Sequence, residues 1–346
     1  MKTRGHVRTV VWLLAMAGTL LLITGSVRGG DVRYKLTLPG VLSYELNLPT
    51  LVAHANGYFA EQGIDLDNFV LGSGGTLRAA MIAKEYDFGL FAFVHVPLAR
   101  IAGSPWRVLL ALHDREFFNL LVRSELRDRV RSVADLRGMR VGFSTPGAGS
   151  WYIGSVFLKS AGLDPQKDVQ YLSLGGDAGV IYTALRTGRV DAFSAWEPIT
   201  TRAMEDGVAY PITRMWEEAE HRRYVGASKA LALTLVSRED VIARNPGLAR
   251  RVVEAHKKGL EFIRSRSSAE IADVVMRNAK TAELFSGLDR AHVIKMFDRI
   301  KPGFGTGCLS RSGFDVEMKL AVEYQLVRRA ITFEEFADTR FAGECP

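Results

Sequence analysis

The sequence predicts an α/β protein built as two similar lobes that face each other across a cleft. Three observations predict it. Short apolar strand-like runs alternate with helical stretches over the first two thirds of the chain, and alternating β and α units pack as largely parallel sheets with helices on both faces. The length of 346 residues suggests about two domains at roughly 150 residues each. The chain also echoes itself. At an offset of 104 residues Gly72 meets Gly176, Gly75 meets Gly179, Ala80 meets Ala184, Met81 meets Leu185 and Asp87 meets Asp191. Each copy reads as strand, Gly-rich turn, helix, short turn, aspartate, strand.

The elements follow in order. Lys2, Arg4 and Arg8 precede Val10–Ile23, an uncharged run rich in Leu, Val and Ala. A basic start, a short apolar stretch and small residues after it describe a secretory signal over about residues 1–30. The run is shorter than the ~20 residues that span a bilayer comfortably, and an uncleaved anchor is the alternative. No cysteine lies near the cleavage region, so a lipid-anchored precursor is not expected. An exported, periplasmic protein is.

Val32, Tyr34, Leu36 and Leu38 alternate with Arg33, Lys35 and Thr37, which is strand periodicity. Leu48–Asn56 reads as a helix with Pro49 in its first turn and Gly57 ending it. Asp65–Leu71 is a second strand, leading into Gly72-Ser73-Gly74-Gly75-Thr76 and a helix over Leu77–Ala83. Strands are predicted at Phe88–Phe93 and Val108–His113. After Arg131 the order repeats. Ser132 caps Val133–Arg137, Met139–Phe143 is a strand, and Thr145–Ser150 opens a helix over Trp151–Ala161. Val169–Leu174, Gly179–Thr187 and Ala192–Ala195 continue the alternation. Beyond Glu239 strands stop and amphipathic helices run at Pro246–Arg266, Ser268–Asn278 and Ala291–Ile300.

Composition narrows the class. Hydrophobic residues at 47% and charged residues at 24% are ordinary globular values. Of the 45 basic residues four lie in the first 30, where there is no acid; the remaining 41 face 38 acidic ones. Without a Lys/Arg block, no nucleic-acid partner is expected. The only cysteines are Cys308 and Cys345. In an oxidising compartment two cysteines can pair, closing a loop worth roughly 3–4 kcal/mol on the chain-entropy account; two free thiols are the alternative. No metal site and no cofactor are expected, because no His or second Cys sits at ligand spacing.

Three longer phrases carry a family resemblance. "LVAHANGYFAEQGIDLDNFVLGSGGTLRAAMIAKEYDFG", "SVADLRGMRVGFSTPGAGSWYIGSVFLKSAGLDPQKDVQYLSL" and "ALRTGRVDAFSAWEP" resemble, in order and spacing, the nitrate/sulfonate/taurine and thiamine-precursor family of ABC-transporter periplasmic solute-binding proteins. The resemblance covers about residues 32–240. It implies a type II periplasmic-binding fold, mixed and mostly parallel sheets flanked by helices, closing on a small molecule. It also implies partnership with an ABC permease and ATPase complex at the inner membrane, and a monomer. Crossing strands are expected at Phe117–Arg123 and Ala230–Ser237, dividing the chain into lobe one (32–118 with 232–346) and lobe two (119–231).

Such a fold places Gly-rich turns at the carboxyl ends of strands, where ligands bind. Helices that start there present unpaired N–H groups and a positive dipole end. Ser73, Gly74, Gly75 and Thr76 are expected to do this in the first lobe, and Gly149 and Ser150, with the hydroxyls of Ser144 and Thr145, in the second. Tyr44, Asn47, Phe93, His95, Trp151, Trp196 and Glu197 follow strands and are candidates to shape the cleft. Core packing competes for each aromatic, and Glu197 is discordant: it would repel an anion or welcome an ammonium. No arginine clamp is evident, although Arg78 lies one turn into the first glycine-loop helix. Strongly charged oxyanions usually meet arginine, so the ligand stays open between a sulfonate or taurine-like anion, a pyrimidine and an aromatic compound.

No catalytic residues are expected. G-x-S-x-G and H-E-x-x-H are absent. The run Glu217, Glu218, Glu220 and His221 reads as a solvated helix face. A pyrimidine-precursor synthase of the same fold resembles proteins with a cysteine-rich motif, which two cysteines cannot supply. A binding protein that senses ligand for a membrane receptor shares the fold and is the main alternative.

Overall fold

The computed structural model describes residues 34–346; the predicted signal lies outside them. Strands β1 (Tyr34–Gly40), β2 (Ile64–Leu71), β3 (Phe88–Ala92) and β4 (Trp106–His113) come first. β5 (Asn119–Arg123), β6 (Arg140–Phe143), β7 (Gln170–Ser173), β8 (Ala192–Ala195) and β9 (Ala209–Pro211) follow, then β10 (Leu233–Arg238).

These strands form a two-lobed α/β architecture. One five-stranded sheet has the order β7-β6-β8-β5-β9; in the other half β2 pairs with β1, and β10 lies between β3 and β4, with β1 packed beside β3. Both halves therefore read second–first–third–visitor–fourth. The visitors, β5 and β10, run antiparallel to both neighbours, whereas β1 with β2, and β6 with β7 and β8, are parallel. The chain leaves the first half after β4 and returns to it at β10.

The internal echo has a physical counterpart. The helices Gly74–Ile82 and Ala178–Arg186 begin and end 104 residues apart. Ser73 caps one by accepting from Thr76 N–H, and Asp177 caps the other by accepting from Val180 N–H. The echoed aspartates also match in role. Asp87 meets Arg238, the last residue of β10, at 2.9 Å. Asp191 meets Arg140 at 2.7 Å and Arg123, the last residue of β5, at 3.9 Å. Each aspartate thus ties the start of a third strand to the end of a visitor.

The expected first helix starts earlier than Leu48. It spans Tyr44–Ala55, and Ser43 caps it by accepting from Leu46 N–H. Pro49 lies inside this helix rather than in its first turn, so Tyr44 and Asn47 are helical residues and not turn residues. The helix is buried along nearly all its length, under the Pro246–Ser265 helix. After β10 no further strand occurs among the described residues, only isolated bridges. None of their helices is long and apolar enough to cross a membrane. Cys308 and Cys345 are bonded to each other, and beside them Leu309 N–H donates to Gly343 O while Leu309 O accepts the Cys345 N–H. His221 departs from the solvated-face expectation. It is fully buried, its Nε2 accepts the Glu116 N–H at 2.9 Å, and its Nδ1 faces Ala227 O at 2.6 Å. Its exposed neighbours Glu217 and Glu218 are the solvated part.

Candidate functional site

A small, mainly apolar chamber lies where the two halves meet. Two helices begin at its wall. Gly74 opens the Gly74–Ile82 helix on one side, and Gly149 and Ser150 open Gly149–Ser160 on the other. The second helix is preceded by Ala148, which offers no side-chain cap. Its first N–H groups are therefore left for another acceptor. Backbone proximity is tight here: a Cβ on Gly149 would stand 2.9 Å from both Ala92 Cβ and the Phe118 ring. Only glycine lets the helix end come this close to β3.

Polar groups in the wall are few and oriented. Ser150 Oγ accepts the Ser144 N–H at 2.9 Å and lies 2.8 Å from Ser144 Oγ. One hydrogen joins the two hydroxyls, which leaves the other hydroxyl hydrogen free to turn toward the chamber. His95 is 2% exposed and lines the wall. Arg78 Nη1 lies 3.0 Å from His95 Nδ1 and donates to Gly147 O at 2.7 Å. Burial, and then the Arg78 charge, holds the His95 pKa well below its ordinary value. Trp196 donates from Nε1 to Leu42 O at 2.7 Å and meets Phe118 edge to face at 5.9 Å. No Lys, Arg, Asp or Glu lines the chamber among the described residues.

The predicted site residues divide three ways. Gly74, His95, Ser144, Gly149, Ser150 and Trp196 stand together in the wall. Ser73, Gly75, Thr76 and Thr145 do not line it and bond to one another: Ser73 Oγ lies 2.7 Å from Thr76 Oγ1, and Gly75 N–H donates to Thr145 Oγ1 at 3.2 Å. The others lie elsewhere. Tyr44 donates to Leu284 O and stacks on Phe285 with ring centres 4.6 Å apart, so it is core. Asn47 is buried and donates to Val41 O. Phe93 packs between Phe314 and Phe336. Trp151 is half-buried and outside the wall, its carbonyl receiving Ser155 and Tyr171 hydroxyls. Glu197 turns away: its carboxylate accepts Thr201 N–H and Oγ1–H and lies 3.6 Å from Arg299.

Sequence reading missed Ser43, Phe91, Phe117 and Phe118, all in the wall. Phe91 sits in a strand whose residues are all buried, so its pattern equals that of core. The Phe117-Phe118 pair immediately before a visitor strand was the available signal.

A second, polar cavity shares Phe117 with the chamber and is lined by Glu45, Glu116, Glu197, His113 and Arg299, among others. Burial pushes Glu45 up to about 8, with the Glu197 charge adding to it. Glu45 accepts the Glu197 N–H at 2.9 Å and the Ser43 hydroxyl at 2.7 Å. Burial, then the neighbouring Glu317, raises Glu116 well above the carboxylate range, and burial lifts Glu317 to about 7. Both Glu116 oxygens lack a donor. Glu317 Oε1 lacks one as well, while Tyr152 O–H donates to Glu317 Oε2 at 2.8 Å. A wider surface groove near the chain end is lined by Arg107, Arg311 and Arg340, but each is spent on Glu239, Glu334 or Asp338. Among the described residues no group of three or more His, Cys, Asp or Glu is arranged to hold a metal ion.

Residues 47–268, more than half of the chain, match the NMT1/THI5-like family. The chain belongs to that family. It is 26% identical over 238 residues to the riboflavin-binding protein RibY of Chloroflexus aurantiacus, a match covering 63% of this chain and 60% of RibY. The chain thus spans less than two thirds of the length of the relatives it matches by sequence. Its fold is that of the alkanesulfonate-binding protein SsuA from Xanthomonas axonopodis pv. citri, solved bound to MOPS: TM-score 0.69, 17% identity, 88% of this chain and 98% of that one. The periplasmic nitrate-binding protein NrtA from Synechocystis PCC 6803 is similar as well, with TM-score 0.66, 14% identity, and coverage of 88% and 84%. At these identities the likeness speaks for the fold, the two-lobed periplasmic-binding architecture.

Proposed function

We propose that this family member is a periplasmic solute-binding protein of an ABC importer, not an enzyme, which captures a small organic molecule by closing two lobes. The lobes comprise residues 32–118 with 232–346, and 119–231, and the crossings before β5 and before β10 serve as hinges that absorb small φ/ψ changes. The observation that carries the reading is the chamber itself: two helix amino termini, paired serine hydroxyls and one imidazole set in an aromatic wall without a single charged side chain. Gly74, His95, Ser144, Gly149, Ser150 and Trp196 are the proposed contacts, with Ser43, Phe91, Phe117 and Phe118 added. A monomer, exported by its N-terminal signal and not lipid-anchored, would deliver its cargo to a permease and ATPase complex at the inner membrane.

Donors without a cation suit a neutral or singly charged group on a flat or apolar body better than a small, strongly hydrated oxyanion. Glu197, held by Thr201 and Arg299, offers nothing to the ammonium of taurine. The names of the relatives leave room for this choice, since one is called riboflavin-binding and another was solved with MOPS. A thermal-shift screen of riboflavin, uracil, benzoate, MOPS, taurine and nitrate tests it, because a ligand that binds only the folded state raises the melting temperature by mass action. Stabilisation is expected from a planar or aromatic member and a change in tryptophan fluorescence should accompany it. Stabilisation by nitrate or taurine alone would overturn the choice of ligand.

A further inference from the structure

We propose that Arg78 is a positioning residue that fixes His95 as the Nε2–H tautomer and so aims one permanent donor into the chamber. The inference rests on the chamber being the ligand site. Arg78 Nη1 carries two hydrogens and no acceptor, and arginine keeps its charge. One hydrogen goes to Gly147 O at 2.7 Å; the other faces His95 Nδ1 at 3.0 Å. A guanidinium can only donate, so Nδ1 must present its lone pair and the ring proton must sit on Nε2. The opposite tautomer would set N–H against N–H and leave a buried donor unpaired.

Nε2 itself has no partner among the described residues, and it stands at the mouth of the first helix, where a Cβ on Gly74 would lie 2.7 Å from it. The imidazole is 2% exposed and lines the chamber. Its other close neighbour is the Phe91 ring at 5.1 Å, and Arg78 is the charged group acting on it. No carboxylate is there to stabilise an imidazolium, which burial and the guanidinium both disfavour. The approach of Arg78 depends on the residue opposite. Gly147 has φ of 72°, and a side chain there would begin 3.1 Å from the guanidinium. Arg78 thus ties the first glycine-loop helix to the second glycine loop while it sets the proton position on a residue 17 positions on. The consequence for recognition is a donor that neither flips nor titrates: a ligand meets it with a carbonyl, a ring nitrogen or an oxyanion oxygen, never with an N–H.

Long-range ¹H–¹⁵N spectra of the histidine rings in the ligand-free protein test this, with His95→Gln identifying the relevant signals. The expected pattern is protonated Nε2 with unprotonated Nδ1, unchanged between about pH 5 and pH 8, the range in which an ordinary histidine titrates. A protonated Nδ1, or titration inside that range, overturns the proposal. Arg78→Met removes the donor and keeps the apolar stem; the spectrum should then show both tautomers in exchange and a midpoint moved toward the ordinary value. An unchanged pattern in Arg78→Met also overturns it. If that variant does not fold, Arg78→Gln, whose amide can donate or accept, should give the same mixing. The spectra need no ligand, so a failed ligand screen and a failed tautomer assignment are separate results.

Discussion

Alanine in place of Trp196 should cost about 3–5 kcal/mol of stability and abolish measurable binding of whatever the thermal screen selects. The indole is 1% exposed and lies against Phe118 and Phe193, so its removal leaves a cavity at the junction rather than a surface gap. Trp196→Phe separates the two effects. It keeps an aromatic body but loses the 2.7 Å bond from Nε1 to Leu42 O, which joins the end of β8 to the loop after β1. On the proposed lobe division that bond exists only in the closed form. Its loss, about 1 kcal/mol, falls on affinity and weakens binding roughly fivefold with little change in ligand-free melting. Urea unfolding and titration calorimetry of both variants provide the check; normal affinity in Trp196→Phe and wild-type stability in Trp196→Ala would place the residue outside the account.

Stability should fall as pH rises from about 6.5 to about 9. A carboxyl whose folded pKa lies above its unfolded value contributes fully below the unfolded value and loses that contribution as pH climbs through the folded one. Glu317 and Glu45 are raised from 4.5 to about 7 and about 8, and between them the loss above pH 6.5 is roughly 2–3 kcal/mol. Histidines are still about half protonated in the unfolded chain at about pH 6.5 and neutral above about pH 7.5, so they offset part of this loss at its onset and none of it beyond. Below it they act in the opposite sense. His221 and His256 are lowered by burial from 6.5 to about 4, so the unfolded chain takes up protons that the folded one refuses. Between about pH 4.5 and 6.5 the two sets offset each other, giving a plateau with a decline on its alkaline side. Melting temperatures from pH 5 to 9 should trace it, and Glu45→Gln, which removes the group with the higher folded pKa, should flatten most of the alkaline limb. A melting temperature that rises toward pH 9 would contradict these assignments.

Much of the architecture was legible because it rests on periodicity and punctuation. The echo between residues 72–87 and 176–191 located two helices and the Gly-rich turns before them, since such turns are demanded by local backbone geometry; the caps, Ser73 and Asp177, emerge only in the structure. The first helix was misjudged where local signals compete. Pro49 reads as a start marker, but Ser43 caps the helix earlier and tertiary burial carries the helix through the proline. Within the candidate site, backbone chemistry marks Gly74, Ser144, Gly149 and Ser150, whereas His95 and Trp196 were legible from their places just after strands. Aromatic residues were ambiguous in principle. Phe93 and Phe91 lie two residues apart on the same strand and its extension, and one meets Phe336 in the core while the other walls the chamber. Hydropathy is equal in both environments, so only the tertiary fold separates them. Glu197 shows the same limit for charge: its position after β8 suggested the cleft, but Thr201 four residues on and Arg299 from a distant helix turn it inward.

The most direct test is a crystal structure of the protein with the compound that raises its melting temperature most. That compound is expected enclosed between the Gly74–Ile82 and Gly149–Ser160 helix starts, its acceptor atom within hydrogen-bond distance of His95 Nε2 or the Ser144–Ser150 hydroxyls, its flat body against Trp196 and Phe118, and no metal ion beside it. A compound seated instead in the charged groove of Arg107, Arg311 and Arg340, with the chamber walls in contact and nothing between them, would contradict it.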